Sequence, residues 1–211
     1  MQIIDQYFMI EHFDPETAIK LISDNARRCY KSPKLETYAE QCEFVDKLIH
    51  KDPDNPHLSP LEHSTLSVTF VTNRGVSHEL VRHRLSSINQ ESTRYCNYSK
   101  DRFGNEITFV RDPKFTTNDE DYQAWLDDCA ECEKRYFNRL ARGHKPEEAR
   151  GVLNNDIKTE LCITTNYREW RHILKLRTSP GAHYQVRDLM IPLRGYLAEA
   201  LPCVFGDLTI S

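Results

Sequence analysis

Glycine is scarce in this chain, with seven residues in 211, and none of them falls into GxGxxG or GxxxxGK[ST]. A nucleotide bound here is therefore not cradled by a Rossmann or P-loop turn, and side-chain cations must neutralise its phosphates. Long apolar runs are missing as well, and nothing approaches the ~20 residues of a membrane span. The start, Met1-Gln2-Ile3-Ile4-Asp5, has neither a basic segment nor an apolar one, so no secretory leader is expected. There is no broad basic excess: 28 Lys and Arg stand against 32 Asp and Glu, for a formal net charge of -4. That balance argues against a general nucleic-acid binder. The cysteines (Cys29, Cys42, Cys96, Cys129, Cys132, Cys162, Cys203) are odd in number and scattered. Reduced thiols in a cytoplasmic setting follow from that better than a disulfide framework.

What is present is ordinary for a globular protein, at 39% hydrophobic and 28% charged residues. The length suits one domain over 1–211 that buries about 70% of its unfolded surface without staples. Met1 to about Ile10 reads as a strand. Asp14-Pro15-Glu16 starts a helix to about Tyr30, because a capping carboxylate precedes proline at the first helical position. A second helix is expected over about 36–50. Pro53, Pro56 and Pro60 impose an irregular loop, and Leu66, Val68 and Phe70 alternate with Ser67 and Thr69 as a strand. Val76, Leu80, Val81 and Leu85 predict a helix running into Arg82-His83-Arg84. Further on, Glu106 to Arg111 reads as a strand. A long helix from Asp119 to Ala141 carries Trp125, Cys129, Cys132, Tyr136 and Leu140 on one stripe, and another starts at Pro146. Periodicity leaves Ile157 to Thr165 open between strand and helix. Asn166 is placed to cap a helix to Arg177, and a last helix over about 182–200 contains Pro192, which kinks or splits it.

Two metal-like patterns fail on geometry. In His78-Glu79-Leu80-Val81-Arg82-His83 the histidines are five apart, about 140° around a helix, so they do not share the face that a zinc protease needs. Cys129-Ala130-Glu131-Cys132 lies on the apolar stripe of the long helix, where core packing is the expected role, and no second CxxC accompanies it. No metal site is predicted.

The concentrated chemistry lies in Arg82-His83-Arg84-Leu85-Ser86-Ser87-Ile88-Asn89-Gln90-Glu91-Ser92-Thr93-Arg94-Tyr95, with three arginines, a histidine and two carboxamides in fourteen residues. Arginine pairs with phosphate in a bidentate fork, so the stretch is suited to an anion. On a continuous helix Arg82, His83 and Arg84 would fan over about 200°, with Arg84 toward the apolar face. Such a fan fits two adjacent anionic ligands or a site between subunits. Residue types alone also fit a solvated charge run, or a noncatalytic module that uses the same arginines on nucleotide or RNA phosphates.

Arg82-His83-Arg84, seven residues and then Ser92 resembles the RHR-x7-S signature of the flavin-dependent thymidylate synthases (the ThyX type). Three further blocks follow suit. His57-Leu58-Ser59-Pro60-Leu61-Glu62-His63 resembles the family's H-x-[ST]-P-[FL]-E-H loop. Glu148-Ala149-Arg150-Gly151-Val152-Leu153 resembles its A-R-x-x-L segment, and Asn166-Tyr167-Arg168, His172, Leu176-Arg177 its N-x-R…[NH]…L-R helix. The resemblance implies a mixed α/β fold with a central, largely antiparallel sheet flanked by helices, assembled as a homotetramer with sites at subunit interfaces. It implies the conversion of dUMP to dTMP, with 5,10-methylenetetrahydrofolate as one-carbon donor, FAD as hydride carrier and NADPH as reductant, and no role for a nucleic-acid polymer or a membrane.

By matching position, the resemblance assigns Glu79, Arg82, Gln90, Glu91, Ser92, Thr93, Arg94, Arg150 and Arg177 to dUMP. The same matching assigns His57, Ser59, Arg82, His83, Arg84, Gln90, Asn166, Arg168 and His172 to FAD. Arg177 is the implied catalytic residue, a fixed cation near the uracil ring, and Ser92 a positioning hydroxyl. Glu79 stands where glutamine is frequent, Gln90 where glutamate is common, Cys29 where serine is frequent, and Gly181 where some members have histidine.

Overall fold

The structure is a computed structural model, and it describes all residues except 53, 116–118 and 209–211. Pro53, one of the three prolines expected to shape the loop, lies outside the described residues. The chain divides into two compact units, each assembled from separate stretches of sequence. One comprises Met1–Phe8, Phe70–Arg82 and Asn89–Cys162, the other Met9–Thr69, His83–Ile88 and residues from Ile163 onward.

The strands are β1 (Gln2–Ile4), β2 (Tyr7–His12), β3 (Thr65–Asn73), β4 (Ser87–Gln90), β5 (Thr108–Val110) and β6 (Lys158–Asn166). They form a two-stranded sheet, β1-β5, and a four-stranded sheet in the order β2-β3-β6-β4. The single strand expected over Met1 to Ile10 is thus two strands in two sheets. The break falls at Asp5 and Gln6, whose side chains turn to Arg111 (2.9 Å) and Thr72 (2.8 Å). The pairing of β1 with β5 is parallel, with Ile3 opposite Phe109, so the sheet structure is not uniformly antiparallel.

β6 settles the open segment as a strand. Thr159, Leu161, Ile163 and Thr165 are buried while their neighbours are not, the period-2 pattern of a pleated strand. Its pairings run antiparallel. Tyr167 N donates to Ser64 O at 3.0 Å and the Ser67 and Thr164 hydroxyls meet at 2.8 Å, so positions on β3 rise as those on β6 fall. Toward β4, Thr165 Oγ1 donates to Leu85 O (2.7 Å) and Glu91 N to Glu160 O (2.8 Å).

In the first unit, α3 (Arg74–Leu80) is capped by Asn73, whose Oδ1 accepts from Val76 N at 2.8 Å. α4 (Glu120–Ala141) is capped by Asp119 and buries Trp125, Cys129 and Tyr136. These pack with Tyr98, Ile107, Phe109, Ala149 and Ile157, and Cys132 lies against the same cluster. The CxxC is therefore core, and burial pushes the Cys129 thiol up to about 12. α5 (Pro146–Ala149) leads into a 3-10 turn at Arg150–Val152.

In the second unit, α1 (Pro15–Arg28) starts as expected, with Asp14 Oδ1 accepting from Thr17 N at 3.1 Å. α2 (Tyr38–His50) opens with a Thr37–Glu40 capping box. The proline loop closes in a 3-10 helix, Ser59–His63. α6 (Tyr167–Arg177) buries Trp170, whose Nε1 donates to Leu66 O at 2.9 Å. α7 (Tyr184–Ala200) continues through Pro192 without splitting, and α8 (Pro202–Phe205) follows it.

The helix expected to carry Arg82-His83-Arg84 stops at Leu80. Past it, Arg82 N turns back to Glu79 O (3.3 Å) and Ser87–Gln90 joins the sheet. The reason is tertiary. Ser, Ile and Asn are weak helix formers, and the β6 edge offers their backbone a ladder. The fan of cations around one helix does not exist: Arg82 and Arg84 are exposed, His83 is buried, and Leu85 is 76% exposed.

Candidate functional site

In the first unit the residues that matter surround the turn after β4. Gln90 points inward, and its Nε2 donates to Ser77 Oγ (2.9 Å) and Thr159 Oγ1 (3.0 Å). Glu91 points the other way off the strand: Tyr98 OH donates to Oε1 at 2.7 Å and Lys158 Nζ to Oε2 at 2.9 Å. The chain then folds tightly, with Tyr95 N (3.1 Å) and Cys96 N (2.9 Å) both donating to Ser92 O. Arg94 N donates to Ser92 Oγ at 3.3 Å. Buried Thr93 receives a hydrogen bond from Arg150 Nη1 at 3.1 Å, which ties the start of the Arg150–Val152 turn to this loop. Exposed Arg94 pairs through Nε with Glu147 Oε2 at 2.8 Å and lies over the Tyr95 ring. Gln90, Glu91, Ser92, Thr93, Arg94 and Arg150 are thus one constellation. Glu79 and Arg82 belong to the same unit, at the end of α3 and in the turn beyond it.

In the second unit the centre is His83, 6% exposed. Arg177 Nε donates to its Nε2 at 3.0 Å, Glu169 Oε1 lies 3.7 Å from its Nδ1, and the His172 ring stands edge-on at 6.1 Å. Burial first, then the charge of Arg177 and of His172, lower its pKa to about 4, so the ring is neutral at pH 7. Asn166 caps α6, its Oδ1 accepting from Glu169 N at 2.9 Å. Arg168 pairs with Glu62, and Arg171 forms a fork on Asp207.

A cavity of about 1040 Å³ opens in this unit, lined among others by Asn166, Arg168, Glu169 and His172, with Leu58 and Leu85 as apolar walls. Its volume, its cations and its apolar walls suit a large anionic ligand with a flat ring system. Assigned residues His57 and Ser59 instead line a smaller cavity of about 200 Å³ in the same unit, and Arg84 is exposed.

His83, Glu169 and His172 hold ligand-type atoms within 4.8 Å of one another. An ion there would need the Nδ1 lone pair of His83. Since Nε2 accepts from Arg177, the ring proton sits on Nδ1, and the guanidinium adds a repelling charge. The three side chains read as a polar cluster around the neutral His83 ring.

Glu62, Tyr98, Glu147, Lys158 and Glu169, which complete these networks, carry no site signal in the sequence. Glu147 and Glu169 stand in the first turns of helices, where an acid is explained by the helix itself. Glu62 appears only inside a motif, and nothing local marks Tyr98 or Lys158.

The fold is shared with two solved proteins. One is the UMP/dUMP methylase PolB of Streptomyces cacaoi bound with 5-Br dUMP (TM-score 0.75, 18% identity, 98% of this chain and 96% of that one). The other is the flavin-dependent thymidylate synthase ThyX of Helicobacter pylori complexed with FAD and dUMP (TM-score 0.73, 20% identity, 96% and 99%). That likeness defines the class, a mixed α/β protein of the ThyX fold. By sequence, the flavin-dependent thymidylate synthase of Mycobacterium avium (strain 104) is 30% identical over 214 residues, covering 94% of this chain and 82% of that protein. The enzyme of the same name from Geobacter sulfurreducens is 29% identical over 201 residues, with 92% and 82% covered. A family model described as thymidylate synthase complementing protein matches residues 9–203. The chain belongs to that family, the flavin-dependent thymidylate synthases.

Proposed function

We propose that this chain converts dUMP to dTMP with FAD as its resident cofactor. The methylene group of 5,10-methylenetetrahydrofolate becomes the new methyl carbon, and NADPH supplies the electrons. The observation that carries the reading is the second-unit cavity. Asn166, Arg168 and His172, three positions that the family resemblance gives to the flavin, line one space of about 1040 Å³.

FAD supplies the hydride chemistry when bound, and the chain supplies binding and electrostatics. Arg168 and His172 on the cavity wall, with buried His83 against His172, form the set that would hold the cofactor. The turn at Gln90 to Arg94 would take the nucleotide phosphate, through the Ser92 hydroxyl, the Arg94 cation and backbone N–H groups, with Arg150 fixing Thr93. Arg177 would face the uracil ring. A fixed guanidinium there stabilises the negative charge left when N3 loses its proton, and costs no reorganisation as that charge forms. No side-chain nucleophile is required, and Ser92 has no general base among its hydrogen-bond partners named above.

Assembly as a homotetramer belongs to the same proposal, as does a cytoplasmic setting, supported by seven free cysteines. No helix among the described residues is long and apolar enough to cross a membrane. The test is direct. The purified protein should be yellow, its flavin band should bleach with NADPH, and dUMP with methylenetetrahydrofolate should then yield dTMP. A protein that does not take up FAD would overturn the reading. Sedimentation should show a tetramer, and a fully active monomer would refute the interface sites.

A further inference from the structure

Neither Lys158 nor Tyr98 stands at a position that the resemblance assigns to a ligand, yet both side chains converge on the one acidic residue within the turn that would hold the phosphate. Glu91 precedes Ser92, so a carboxylate projecting outward here would face an incoming dianion and repel it. The fold removes that charge from the ligand side. Glu91 N is held on Glu160 O at 2.8 Å, and its carboxylate is taken at one oxygen by Tyr98 OH (2.7 Å) and at the other by Lys158 Nζ (2.9 Å).

Both partners are fixed where they stand, and Lys158 also reaches Glu160 Oε2 at 3.5 Å. Tyr98 is 7% exposed and packed in the core of the unit. Burial of Lys158 works against its charge, but the hydrogen bonds and charges of Glu91 and, after it, Glu160 outweigh burial and raise its pKa, so the ammonium stays protonated. Lys158 and Glu160 share one face of β6, while Thr159, on the opposite face, receives Gln90 at 3.0 Å. Successive residues of β6 therefore fix successive residues at the start of the turn.

We propose that Lys158 and Tyr98 are positioning residues for the nucleotide phosphate, acting through Glu91: they cancel its charge and hold its carboxylate away from the ligand side of the turn. The inference rests on the reading of the Gln90 to Arg94 turn as the phosphate site. Neither residue touches the ligand in this scheme.

A double-mutant cycle on the FAD-loaded enzyme tests it, reading dUMP affinity by flavin absorbance together with KM and kcat. Lys158→Met leaves Glu91 uncompensated and should weaken dUMP binding about tenfold, the scale of one charged contact, with kcat nearly unchanged. Adding Glu91→Gln to that variant removes the stranded charge and should recover affinity to within about threefold. A general packing defect would not recover in this way. Unchanged dUMP affinity in Lys158→Met, or a double variant no better than the single one, overturns the inference. If Lys158→Met does not fold, Tyr98→Phe decides, because it deletes only the donated hydrogen bond. A several-fold loss of dUMP affinity supports the scheme, and none refutes it. Ser92→Ala serves as the control. If it too leaves dUMP affinity intact, the phosphate-site reading fails. If Ser92→Ala weakens dUMP while Lys158→Met does not, only the present inference fails.

Discussion

Arg177 Nε donates to His83 Nε2 across 3.0 Å. The imidazole therefore accepts at Nε2 and carries its proton on Nδ1, toward the Glu169 carboxylate 3.7 Å away. The geometry requires a neutral ring, and the depression of His83 to about 4 has that sign.

This arrangement makes stability depend on pH. Below an unfolded pKa of 6.5 the unfolded chain takes up a proton at His83 that the folded state refuses, down to about 4. The contribution of His83 is therefore full above about pH 6.5 and is lost as pH falls toward 4, on the order of 3 kcal/mol in all. His83→Gln should flatten the fall in melting temperature over that window. Parallel melting curves for the two proteins would remove His83 from the account.

Arg177→Ala should lower kcat by about a hundredfold or more, the usual cost of losing a fixed charge-stabilising group. Flavin occupancy should change less, because Arg168 and His172 keep their places in the cavity. Near-normal dTMP formation would take Arg177 off the catalytic list.

Ser92→Ala should raise the dissociation constant for dUMP by about three- to tenfold, as one hydrogen bond is lost, while turnover persists. Abolished turnover with intact affinity would restore Ser92 as a nucleophile.

Cys129 should be inert. Its thiol is buried in the apolar cluster, raised to about 12, and accepts from Asn154 Nδ2 at 3.9 Å. Brief alkylation of the native protein followed by mass analysis should find exposed Cys29 modified first and Cys129 only after unfolding. Early labelling of Cys129 would contradict the packing of α4.

Features written in local chemistry were legible from the residues. The Asp14 and Asn166 caps and the Cys129–Tyr136 stripe needed only neighbours within one or two helical turns. The end of α3 was not, because pairing with β6 about seventy positions away decides where that helix stops. The partners of the cations were hidden for the same reason. Arg168 meets Glu62 across 106 positions and Arg94 meets Glu147 across 53, separations at which no spacing rule operates. The four motif blocks marked the proposed site residues, and the fold places Asn166, Arg168 and His172 on one cavity that His57 and Ser59 do not line.

The alternation along β6 links the fold to the fate of insertions. Thr159 faces one way and Lys158 with Glu160 the other, so a shift of one residue would turn Lys158 inward and Thr159 outward. Gln90 and Glu91 would lose their anchors together, in the same step that exposes Leu161 and Ile163. Within this strand an insertion cannot trade a little stability for altered substrate binding. It forfeits both or neither, so length variation in relatives should accumulate outside Lys158–Asn166.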